Sequence, residues 1–77
     1  MINEKEITTD IYKISNNVEI SFVENMYDMI FILCKKSNTE QIVQTIKNMF
    51  DKNTDIEIYE NAIIDSDANI INVTVYN

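Results

Sequence analysis

The sequence predicts an α+β domain, a mostly antiparallel sheet of four to five strands with one helix, about residues 38–52, packed on one face. Three observations carry this expectation. One stretch repeats its apolar residues at the helical period, and the segments on both sides of it alternate apolar and polar residues at the strand period. The junctions between these stretches are rich in Asn and Asp, which take over the turn chemistry of a chain that has no Gly and no Pro.

The first element, Ile7 to Ile14, has two readings. Ile7, Ile11 and Ile14 would line one face of a short helix, whereas Ile11-Tyr12-Lys13-Ile14 before Asn16-Asn17 reads as a hairpin strand. The turn chemistry favours the strand, because paired Asn tolerates the positive φ of a two-residue loop and Thr8 and Thr9 are poor helix residues. Val18, Ile20 and Phe22 then alternate with Glu19 and Ser21, as in a half-buried strand. Met29 to Leu33 is apolar on both faces, as in a central strand whose outer residues also need cover.

The helix rests on Ile42, Val43, Ile46, Met49 and Phe50, which fall on one face. Ser37 and Glu40 fit a capping box, Lys47 and Lys52 suit the negative end of the dipole, and Asn53 suits a left-handed stop. Two strands follow, Asp55 to Ile64 and Ile70 to Tyr76, joined by the polar turn Asp65 to Asn69. Ile56, Ile58 and Ile64 share one face of the first, and Ile71, Val73 and Val75 one face of the second. With one helix on the sheet, the opposite face stays open and carries Tyr59 and Tyr76 beside Glu57, Asn61, Asn72 and Thr74.

At 77 residues, 45% of them apolar, the chain suits a single domain over residues 1–77 with a core small enough to make self-association plausible. It has no His, no Arg and no Trp. No imidazole is therefore present to activate a nucleophile or bind a metal, no bidentate clamp to hold phosphate or guanine, and no Gly loop to cradle a nucleotide. Catalysis and direct nucleic-acid binding are both disfavoured, and no cofactor is expected. Cys34, the only cysteine, sits in an apolar run, which argues for a thiol-permitting, cytoplasmic setting and for a structural role. The apolar runs are too short to span a membrane, and the polar start Met1-Ile2-Asn3-Glu4-Lys5-Glu6 is unlike a signal peptide.

Asp65, Asp67 and Asn69 open like a calcium loop, but Ile70 and Tyr76 replace the Gly and Glu that such a loop requires, so a solvated turn is expected. The carboxylates Asp55, Glu57, Glu60, Asp65 and Asp67 offer no distinct acid–base pair and no cleft to hold one. They matter through their charge. The net charge is −7, and residues 54–77 hold all five of these acids and no lysine. Such a field repels phosphates and steers the domain towards basic surfaces, although acidity also serves solubility. Glu57, Tyr59, Glu60, Asp65, Asp67 and Tyr76 are accordingly the expected partner-binding residues, aromatic anchors among carboxylates that stand where a nucleic acid's phosphates would.

In size, acidity, Asn- and Ile-rich composition and layout, the whole chain resembles small phage-encoded inhibitors of bacterial defence, the anti-CRISPR and DNA-mimic proteins. The likeness is one of general character, without a shared motif from which residues could be carried over. It implies a non-catalytic protein that occludes the basic surface of a nucleic-acid-binding partner, such as a CRISPR effector, in a host cytoplasm. The alternative is a structural or assembly module that homodimerises through its open sheet face.

Overall fold

In the computed structural model, which describes residues 2–24, 26–50, 53–60 and 67–76, the chain runs α1 (Glu4–Ile14), β1 (Glu19–Glu24), β2 (Asp28–Lys35), α2 (Lys36–Met49), β3 (Thr54–Tyr59) and β4 (Ala68–Val75). The strands form one antiparallel sheet in the order β1-β2-β4-β3. Because β2 and β3 are both antiparallel to β4, they run in the same direction, and α2 is the crossover that joins them.

The α+β class and the antiparallel sheet are as expected, but the described residues hold two helices where one was expected. Residues 7–14, read as a hairpin strand, belong to α1. The Asn3 side chain caps this helix by accepting the Glu6 N–H at 3.1 Å, and Thr9 Oγ1 donates to the Lys5 carbonyl at 2.8 Å, which removes a reason for threonine to leave the helix. The helical stripe does the rest. Ile7 and Ile11 are buried, and each fully buried isoleucine is worth about 1.5–3 kcal/mol, against a helix-propensity deficit of only a few tenths for each threonine. The expected Asn16-Asn17 hairpin is instead a Ser15 turn, with Ser15 Oγ accepting the Asn17 N–H at 3.1 Å.

Both expected ends of the second helix also need correction. Helix α2 begins at Lys36, not behind a Ser37 cap, and its N-cap Lys35 makes no side-chain capping bond. The Lys36 N–H donates to the Asp67 carbonyl at 2.6 Å, so the bend just before β4 takes over the role of a cap. At the other end Phe50, extended at φ −114°, closes the helix with its N–H on the Ile46 carbonyl. The stop therefore precedes Asn53, whose carbonyl accepts the Tyr76 N–H at 2.8 Å and so ties the entry of β3 to the exit of β4. Strand β3 ends at Tyr59 and β4 begins at Ala68, while the expected strand end at Ile64 and the turn residues Asp65 and Ser66 lie outside the described residues.

Helix α1 packs on α2, and α2 lies across β2 and β4. The core between these layers is built from Ile7, Ile11, Ile42 and Ile46 of the helices and Ile30, Ile32, Ile71 and Val73 of the two central strands. At one end of the core, Asn69 Nδ2 donates to Thr39 Oγ1 at 3.0 Å and Thr39 Oγ1 donates to the Lys35 carbonyl at 3.2 Å, so two buried polar side chains satisfy one another. Cys34 Sγ lies 3.6 Å from the same hydroxyl. Asn69 thus faces the helices. No cluster of His, Cys, Asp and Glu able to hold a metal occurs among the described residues. No helix among them is long and apolar enough to cross a membrane.

Candidate protein-docking site

Strand alternation places the neighbours of the buried core residues on the opposite face, which no described element covers. The register aligns them in three rows across the sheet: Val23, Met29, Thr74, Asp55; then Ser21, Phe31, Asn72, Glu57; then Glu19, Leu33, Ile70, Tyr59. Met29, Phe31, Leu33 and Ile70 are half-buried by their neighbours alone and form an apolar stripe along the two central strands. The flanks differ. On β1 stand Glu19, Ser21 and Val23, and on β3 Asp55, Glu57 and Tyr59, all exposed.

Aromatic rings and carboxylates are coupled along β3. Tyr59 Oη donates to Glu57 Oε2 at 2.8 Å, and Tyr76 Oη donates across strands to Asp55 Oδ2 at 2.7 Å. Tyr76 also meets Tyr27 edge to face, with ring centroids 4.8 Å apart and planes at 71°, an arrangement that suits the aromatic quadrupole. Both bonded phenols ionise above their ordinary range. For Tyr59 the causes are the hydrogen bond and then the charge of Glu57, against a smaller opposing contribution from the Asn72 amide. For Tyr76 the leading cause is the hydrogen bond to Asp55. Each carboxylate accepts one phenol proton and keeps lone pairs for a second donor.

The lysines stand elsewhere. Lys5 and Lys13 are on α1, Lys36 and Lys47 on α2, and of the described lysines only Lys35, at the end of β2, follows the register of the open face. The open face is therefore acidic along β3, with the single carboxylate of Glu19 on β1, whereas the helical layer mixes both signs.

Of the expected partner-binding residues, the structure brings together Glu57, Tyr59 and Tyr76. Glu60 is exposed in the turn after β3 and lines a shallow groove on the helix side with Lys36, Thr39, Val43 and Ile58, away from Glu57. Asp67 is exposed in the bend before β4, beyond the Tyr59 end of the sheet, and Asp65 lies outside the described residues. The expected partner-binding residues do not include Asp55 or Tyr27, and the outer apolar residues of Met29 to Leu33 are expected to need cover without being assigned to the site. Asp55 has the parity of Glu57 and Tyr59, a signal that was available, but its pairing with Tyr76 depends on the register of β3 with β4.

The thiol of Cys34 is buried, and burial pushes its pKa up, so it belongs to the core. No protein-family model, curated protein or solved structure matches this chain.

Proposed function

We propose that the domain is a non-catalytic docking protein that covers the basic surface of a nucleic-acid-binding protein and so inhibits it. One observation carries this reading: an open sheet face with an apolar stripe, Met29, Phe31, Leu33 and Ile70, flanked by Glu19 on one side and by Asp55 and Glu57 with their bonded tyrosines on the other. An apolar centre within a polar rim is the general anatomy of a protein interface, and rigid tyrosines are favoured anchors in it. The sign of the rim selects a cationic partner, and nucleic-acid-binding surfaces are the commonest strongly cationic ones.

The test is capture by the immobilised protein from nuclease-treated bacterial lysate. The expected result is retention of a nucleic-acid-binding protein that added DNA or high salt releases and that Glu57→Lys fails to retain. Retention indifferent to salt, to DNA and to that substitution would remove the electrostatic basis of the reading.

The apolar stripe favours a second reading, in which two copies cover each other's open faces. That reading predicts a salt-insensitive oligomer of the isolated protein, seen by sedimentation and abolished by Phe31→Ser.

A further inference from the structure

Strand β3 is an outer strand of the sheet, with β4 on one side and no described strand on the other. Half of its backbone N–H and C=O groups thus point away from β4, a template for one more strand. Its side chains sort by face. Asp55, Glu57 and Tyr59 project onto the open face at intervals of about 7 Å, the two-residue repeat of a strand. Ile56 and Ile58 project to the helix side, where Ile58 is 45% exposed above the groove beside α2.

From this arrangement we infer that the β3 edge takes up an extended cationic segment of the partner as a fifth strand, a deepening that rests on the docking function proposed above. Lysines or arginines at alternate positions of that segment stand beside Asp55 and Glu57, and the residues between them are apolar and cover Ile58. Backbone pairing supplies affinity and the alternating side chains supply selectivity, as in other cases of strand addition. The tyrosine hydrogen bonds hold both carboxylates on the open face, beside the exposed side chains of Tyr59 and Tyr76.

Charge also selects this occupant over a second copy of the chain. Two β3 edges paired antiparallel about Glu57 would oppose Glu57 to its own counterpart, and like charges directly opposite destabilise a strand pair. The other outer strand, β1, carries one carboxylate, Glu19, in the three rows of the open face, so it lacks the repeated acceptor.

The experiment uses the intact isotope-labelled protein and two short synthetic peptides, one alternating lysine with valine and one of the same composition with its lysines in a single block. The expected result is amide shift changes and slowed hydrogen exchange centred on residues 54–59, with the alternating peptide binding about tenfold tighter, the combined effect of two cross-strand charge pairs. The double variant Asp55→Asn, Glu57→Gln removes that preference. Its amides still accept the tyrosine protons, and an unchanged melting curve establishes that the fold is intact. Equal binding of the two peptides, shifts centred on β1 or on the Phe31 stripe, or self-association through β3 would overturn the inference. Failure of the underlying reading looks different. A basic partner still retained salt-sensitively while β3 stays silent sinks strand addition alone, whereas loss of salt-sensitive capture sinks both.

Discussion

Tyr59 and Tyr76 each donate a phenol proton to a carboxylate at the protein surface, at 2.8 and 2.7 Å. A group that folding holds in its protonated form has a raised pKa, so its stabilisation is fully present below the pKa of unfolded tyrosine, near 10.0, and is lost as pH rises through the folded value. Alkaline titration followed by phenolate absorbance should place both transitions above that value. Glu57→Gln should bring the Tyr59 transition down and leave that of Tyr76 nearly unmoved, because Asp55 is the main cause of the latter. The subtraction spectra of Tyr59→Phe and Tyr76→Phe assign the two steps. In the core, Cys34 is 2% exposed and its thiol is pushed up by burial. Alkylation should therefore be slow in the native protein and rapid in denaturant, and an equal rate in both would place Cys34 at the surface.

At the scale of elements, α1 depends on α2, which it packs against, whereas α2 also lies on β2 and β4. Ile11→Ala should destabilise the domain by about 2–5 kcal/mol in urea unfolding, the usual cost of a cavity at a fully buried isoleucine. Ile46→Asp should abolish folding, since it buries an unpaired charge at a site with no exposure. The junction between α2 and β4 offers a finer test. Thr39→Val keeps the volume but removes the acceptor of the Asn69 amide, and should cost about 1–3 kcal/mol, the desolvation penalty of a buried donor that loses a partner. A melting temperature unchanged by Thr39→Val would show that this polar junction contributes nothing to stability.

For the whole molecule, the question is how two faces of one sheet divide labour. One face is consumed by the core, so substitutions there act on stability. The other is open, so substitutions there should separate binding from folding. Phe31→Ser on the open face should shift stability far less than Ile11→Ala while it weakens partner capture, and capture should also fall with rising ionic strength as the acidic rim is screened. Loss of stability and of binding together in Phe31→Ser would show that the open face belongs to the folding core.

The sequence by itself determined the α+β class, the apolar face of α2, the alternation of β1, β3 and β4, and a central strand at β2 that is apolar on both faces, because each follows from a local pattern of neighbouring residues. It also determined that the chain is acidic and that Glu57 and Tyr59 share a strand face. Only the tertiary structure decided that residues 4–14 are helical, since the stripe of Ile7 and Ile11 outweighs the local preferences of Thr8 and Thr9 only once α2 is there to cover it. It likewise decided that α2 starts at Lys36, through the bond to Asp67, and that Asp55 meets Tyr76, 21 residues away, through the register of β3 with β4. Periods are written in neighbouring residues, as is the Asn3 cap of α1, whereas the start of α2, strand register and the choice between helix and strand in a short segment depend on partners distant in the chain.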